Sequence, residues 1–290
     1  MVEQHTRALP PEATDRIGRE MTPRTVVIDD AKLRDYHEGL ALAPPESGSG
    51  LPAVPTTILD RPDSAYVGES GFANGFGNLW MRQEWELTAP LERNVEYAVN
   101  ARIVDVYPRR DRTVVNTELT YRSPAGVPVV RAHHHQSYLL EQSTGAVALR
   151  DPNAKEGARK FEVPAGDRMT PFERRITLEM CGAFFHGSRS YHTDVAASND
   201  LGFRDVVVGG WMTMSYVAHL LERHFGLPWW TSGRLDVKFT NITWPGDTVI
   251  ANGVTTGPLA DDPGRTGVFA WLQKPDETVV LIATGSVATG

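Results

Sequence analysis

Eight stretches of the chain read as strands, several of them with apolar and polar side chains in alternation, the period of a half-buried strand. Four lie in the first half: Trp80–Leu87, Val95–Val106, Thr113–Tyr121 and Val127–Leu140. Four lie in the second: Arg234–Thr240, Thr248–Thr256, Gly267–Gln273 and Thr278–Val287. Turn-forming residues punctuate both sets, at Pro108 to Asp111 and Ser123 to Gly126, then at Pro245-Gly246-Asp247, Asp261 to Gly264 and Lys274-Pro275-Asp276. Each set therefore predicts an antiparallel meander.

A shorter pattern precedes each meander. Val26 to Gly39 and Arg175 to Gly187 both begin with β-branched residues, continue through an N-cap candidate (Asp29 or Asp30; Thr177), and end at glycine. A capping oxygen meets the free N–H groups at a helix start, and glycine accepts a left-handed exit, so both predict a short helix. The halves then differ. Val206–Phe225 is apolar at helical spacing (Met212, Tyr216, Val217, Leu220, Leu221) and stops at Gly226-Leu227-Pro228. The first half offers only Ser47-Gly48-Ser49-Gly50 and a weak stretch from Thr57 to Tyr66, which predicts a reduced central helix. The expected architecture is α+β: two fused halves, each a meander wrapping a helix, with the long central helix in the second. The expected boundaries are a flexible arm over 1–23, a first half over 24–142, a linker over 143–171 and a second half over 172–290. Joining the two sheets edge to edge would cover strand edges otherwise exposed.

Composition narrows the function classes. A net charge of −7 over 290 residues speaks against a nucleic-acid surface. No apolar run approaches the roughly 20 residues of a membrane helix, and the polar start lacks the core of a secretory signal. Cys181 is the only cysteine, so no internal disulfide can form, which fits a reducing cytoplasm. Glycine-rich phosphate loops and dinucleotide fingerprints are missing, so no cofactor is implied.

One segment carries candidate chemistry. Gly187-Ser188-Arg189-Ser190-Tyr191-His192-Thr193-Asp194 is followed by Leu201-Gly202-Phe203 and by Val208-Gly209-Gly210-Trp211-Met212-Thr213. It resembles the MaoC-like dehydratase family, which includes the (R)-specific enoyl-CoA hydratases. The family signature runs roughly D-x-N-P-x-H-x-D, then a G-F pair, then H-G-M at the start of the central helix. His192, Asp194, Gly202-Phe203 and Gly210 fall on its positions. Downstream, Phe225-Gly226 with Trp229, and Lys238-Phe239 with Pro245-Gly246-Asp247, look like the continuing pattern. The resemblance spans about residues 24 to 290 and implies a double hotdog fold acting on an acyl thioester. The departures are specific. The family's catalytic aspartate falls on Gly187, its asparagine on Arg189, its proline on Ser190 and the helix-start histidine on Gly209.

The chemistry such a site needs is elementary. Moving a proton beside a thioester carbonyl places negative charge on its oxygen. Backbone N–H groups at a helix start can meet that charge, and a neutral imidazole can carry the proton. The candidate catalytic residues are His192 for the proton and Gly210 as oxyanion donor, with Arg189, Ser190 and Trp211 as substrate-binding residues. Each has an alternative. His192 can be an ordinary loop histidine, Arg189 a partner in a structural ion pair, and Gly209-Gly210 merely a tight helix start. Asp194 reads as the N-cap of Val195 to Asn199. His186 either orients water in place of the vacant acid or packs.

His133-His134-His135 invites a metal, but a strand turns two of the three to one face, too few for a closed zinc site, so no metal is expected. Arg109, Arg110 and Arg112 form a basic turn, either solvated or facing a coenzyme A phosphate. The reading is a hydro-lyase working on a 3-hydroxyacyl or enoyl thioester of coenzyme A or a carrier protein, with room left for a homo-oligomer. A thioesterase-like or cyclising enzyme, or an acyl-binding protein with a decayed site, remains open.

Overall fold

The structure, a computed structural model, describes residues 9, 11–46, 48–59, 66–72, 76–109, 112–140, 161–185 and 189–289. A four-residue helix α1 (Pro11–Thr14) leads into β1 (Arg24–Val27) and α2 (Asp30–Leu40), and residues 66–70 form a helical turn, α3. The first meander follows as β2 (Phe76–Leu87), β3 (Glu96–Arg109), β4 (Arg112–Arg122) and β5 (Pro128–Leu139). The second half opens with β6 (Asp167–Arg168), β7 (Phe172–Arg175), α4 (Leu178–Phe184) and α5 (Val195–Asp200). Helix α6 (Gly210–Phe225), α7 (Leu227–Ser232) and strands β8 (Arg234–Phe239), β9 (Thr248–Pro258), β10 (Arg265–Gln273) and β11 (Val279–Ala288) complete it.

The eleven strands among the described residues join one antiparallel sheet, in the order β1-β3-β4-β5-β2-β8-β11-β10-β9-β6, with β7 also on β9. The order is symmetric about the β2–β8 seam. On each side a hairpin-built meander is capped at its outer edge by the short strand that leads into the first helix. The arrangement is α+β, two hotdog halves sharing one sheet.

At the seam Arg82 to Glu86 pair with Lys238 to Arg234. Alternation gives the seam two faces. Gln83, Trp85, Leu235 and Val237 are buried against the helices, whereas Arg82 grips Asp236 through two hydrogen bonds of 2.6 and 2.8 Å on the other face.

The caps form as the residue types predict. Asp29 accepts from the Lys32 N–H and Thr177 from the Met180 N–H. Gly39 has another role than a helix exit. Helix α2 runs past it to Leu40 and closes on Ala41 in the left-handed region, while a Cβ on Gly39 would stand 2.5–2.7 Å from the Phe184 main chain and Cβ. The glycine is where α2 and α4 touch. Gly187, the matching glycine, lies outside the described residues.

The long helix starts at Gly210 rather than Val206. Val207 and Val208 give their N–H groups to the carbonyls of Tyr191 and Thr243, so the chain stays extended up to the helix.

Two segments are more ordered than their polarity predicts. Residues 11–22, expected as a flexible arm, lie along β3. The N–H groups of Gly18 and Met21 reach Ile103 and Ala101, and Ala13 and Met21 are buried. Of the expected linker, residues 143–160 lie outside the described residues, but 161–171 belong to the second half. Phe161 packs on Phe269 and Trp271, and Asp167-Arg168 pairs with β9.

Where the described residues of the first half form no long central helix, residues 54–59 run through the interior, all six buried. Buried backbone must find partners, and side chains from both halves supply them. The indoles of Trp230 and Trp211 donate to Val54 O and Thr57 O, and Tyr121 donates to Leu59 O. Glu222 on α6 accepts from both the N–H and the hydroxyl of Thr56, each at 2.7 Å.

Candidate functional site

The turn before α5 is built by local hydrogen bonds. The Thr193 and Asp194 N–H groups both donate to Ser190 O, and the His192 N–H donates to Ser190 Oγ at 3.2 Å. Asp194 caps α5 by accepting from the Ala197 N–H at 2.7 Å, and Arg189, largely exposed, pairs with it at 3.4 Å. That capping bond holds the Asp194 carboxyl below the usual range, with Arg189 adding to it. Ser190 and Arg189 therefore shape and brace the loop that presents His192.

His192 is held by two aromatic rings and at one nitrogen. Its ring stacks on Phe185 with centroids 4.9 Å apart and planes 11° from parallel, and Tyr191 lies 3.9 Å away on a tilt. Nδ1 is 2.7 Å from the Val207 carbonyl, which can only accept, so Nδ1 carries the proton. Burial pushes the ring down to about 4, opposed by that carbonyl bond. At neutral pH the side chain is thus a neutral imidazole whose Nε2 is the acceptor nitrogen.

The start of α6 lies against the same aromatic group. Gly209 caps the helix without any side-chain hydrogen bond, which leaves the first-turn N–H groups directed out of the helix end. A Cβ on Gly209 would stand 2.4 Å from the Phe185 ring that stacks on His192. The place a side chain would take at this position is therefore filled by Phe185, across the loop. A Cβ on Gly210 would meet Trp80 at 3.0 Å and Phe239 at 3.2 Å. His192, Phe185 and the Gly209-Gly210 step thus form one contiguous surface, joined by Trp80 from the first half and Phe239 from the second. Of the aromatic members, Phe185 and Trp80 escaped sequence reasoning as site residues, and Phe239 enters it only through the downstream pattern. Each looks like an ordinary apolar position until the fold brings it to the helix start.

Trp211 backs this surface from the interior, its ring edge-on to Phe185 with centroids 6.4 Å apart. It is buried, 4.5 Å from Phe184 centroid to centroid, and its indole N–H is 2.6 Å from Thr57 O. It ties α6 to the segment running through the first half. His186 lies outside the described residues, as does Arg110. Arg112 donates to Ser137 Oγ at 2.7 Å and so braces the sheet. The three histidines alternate as a strand requires. His134 faces inward between Gln83 and Gln136, at 3.0 Å from each. His135 bonds Glu84 and Tyr107 on the opposite face, and His133 approaches Asn116 and Glu118 there.

Residues 188–266 match the family model described as MaoC like domain. Compared with the curated proteins by sequence, the chain finds no significant match. Solved structures share its fold. A protein described as MaoC-like dehydratase superposes with a TM-score of 0.74 at 16% identity, over 95% of this chain and 99% of that one. A Mycobacterium tuberculosis protein described as having a double hotdog fold gives 0.60 at 14% identity, over 94% and 96%. Peroxisomal multifunctional enzyme type 2 from Drosophila melanogaster gives 0.67 at 15% identity, where the match covers 91% of this chain and 48% of that one.

Proposed function

We propose that this double hotdog chain, whose second half carries a MaoC like domain, is a hydratase/dehydratase of acyl thioesters of the 3-hydroxyacyl/enoyl type. The observation that carries the reading is a neutral imidazole, with Nε2 as its acceptor nitrogen, stacked on the Phe185 ring that lies against Gly209 at the uncapped start of α6.

In the dehydration direction Nε2 of His192 takes the proton from C2 of the 3-hydroxyacyl thioester. Charge moves onto the thioester oxygen, where the first-turn N–H groups of α6, Gly210 foremost, receive it; one such donor contributes roughly 2.7–4 kcal/mol in other enzymes. The imidazolium then gives its proton to the departing 3-hydroxyl, which leaves as water, and the C2–C3 double bond forms. Hydration is the reverse. One group moving one proton out and back closes the cycle, which suits a site where burial and the Val207 carbonyl, rather than a carboxylate, set the titration of His192. Arg189 and Ser190 act through the loop that holds His192.

The test is steady-state hydration of trans-2-enoyl-CoA by the wild-type chain and by His192→Ala. We expect turnover to fall by about 10²- to 10⁴-fold, the usual contribution of a positioned general base. Full activity in His192→Ala on every thioester tried would sink the proposal.

The vacancy at Gly187 favours a second reading, a thioesterase in which the same base activates water against the carbonyl carbon. Release of free thiol, with no 3-hydroxyacyl product, would establish it instead.

A further inference from the structure

Resting on that reading, we propose that Trp80 determines acyl-chain specificity and restricts the site to short acyl groups. The α-carbon of Gly210 faces the Trp80 ring, so close that one added methyl would stand 3.0 Å from Cε3, with Phe239 at 3.2 and 3.3 Å. An acyl thioester whose oxygen sits on the α6 first turn must run along these two faces.

Neither wall yields readily. The Trp80 ring lies 4.9 Å from Phe239 on one side and 4.9 Å from His134 on the other, and its indole N–H donates to Arg82 O at 3.1 Å. His134 is itself immobilised. It is buried and bonded at both nitrogens, to Gln83 and Gln136. A neutral ring donates through one nitrogen and accepts through the other, so one carboxamide turns its NH2 toward it. Behind the helix start, Trp211 is tied to Thr57 O and residues 54–59 are buried.

Trp80 also differs from its strand neighbour. Trp85 points inward and is 4% exposed, whereas Trp80 is only half-buried. The pairing of β2 with β5 shifts register between Trp80 and Arg82, which re-aims the ring just where the β2–β8 seam begins. An indole left partly open beside an uncapped helix start, and clamped from behind, is placed to meet a ligand.

The experiment uses the full chain as wild type, Trp80→Leu and Trp80→Phe. Two readouts are taken: kcat/KM for crotonyl-, hex-2-enoyl- and oct-2-enoyl-CoA, and calorimetric affinity for the non-reacting thioethers butyl-CoA and octyl-CoA. Wild type should favour the short member of each series. Trp80→Leu should raise the octenoyl-to-crotonyl ratio by on the order of tenfold or more, the usual effect of a few methylenes of pocket space. Trp80→Phe should fall between.

If no thioester is turned over but Trp80→Leu still shifts thioether affinity toward octyl-CoA, the specificity role stands and the hydration reading falls. If Trp80→Leu lowers all substrates alike and leaves both ratios unchanged, the ring is merely structural and the proposal is overturned. A wild type that prefers octyl-CoA overturns it as well.

Discussion

His192 titrates in an environment that works against charge. Burial lowers its pKa to about 4, and the Val207 carbonyl only partly offsets this. If Nε2 is the base, activity needs the neutral ring. The acid limb of kcat/KM should then lie near pH 4 to 5, below the 6.5 of a free histidine. Hydration rates measured from pH 4 to 8, with a check that the enzyme survives each pH, test this; an acid limb centred at 6.5 contradicts it. Gly209 gives a second prediction. Its backbone (φ −61°, ψ 141°) suits any residue, so Gly209→Ala meets only the Phe185 ring, 2.4 Å from the new methyl. The ring must swing off and take the His192 stack with it. Overpacking of this kind costs about 1–3 kcal/mol. Turnover should drop more than substrate affinity, and a thermal melt with a kcat and KM pair resolves the two effects.

Between elements, α2 crosses α4 closely at Gly39. Alanine would improve helix propensity there by roughly 1 kcal/mol. Its methyl, however, would lie 2.5–2.7 Å from the Phe184 backbone and Cβ, which cannot rotate away. Gly39→Ala should therefore destabilise the chain by about 2 kcal/mol or more, read from denaturant unfolding, whereas Gly182→Ala on α4, with open space around it, should not destabilise. Gly39 looks like a helix exit in the sequence because glycine serves both exits and close crossings. Only the neighbouring helix distinguishes the two.

Across the whole molecule, buried histidines link stability to pH. His134, His192 and His219 are each lowered to about 4, in every case mainly by burial, while the unfolded chain protonates them near 6.5. Above that pH both states are neutral and the effect vanishes. As pH falls from about 6.5 toward 4, the unfolded chain binds protons that the native chain refuses, so stability declines. The slope is at most about 1.4 kcal/mol per pH unit for each histidine, less for the part-buried His192 and His219. Unfolding free energies at pH 7, 6, 5 and 4.5 should show this fall, and His134→Gln should flatten it. A stability that is level across this window would contradict the assigned burial.

The residue pattern determined the local structure. Eight strands, two short capped helices and one long apolar helix follow from periodicities of 2 and 3.6 and from capping oxygens, because those preferences act over a few residues. It also singled out His192, since the order of residues around that loop resembles a family signature. The tertiary structure decided everything that depends on distant neighbours. Residues 11–22 and 54–59 are polar or irregular, yet they are held by partners on β3, β4, α6 and α7, which no local pattern can announce. The same holds for the site. Trp80 and Phe239 meet Gly210 because two strands from opposite halves join at one seam, and Phe185 fills the place opposite Gly209 because a loop folds back over the helix start. The sequence singled out His192 and Gly210, and only packing brought Phe185, Trp80 and Phe239 to them.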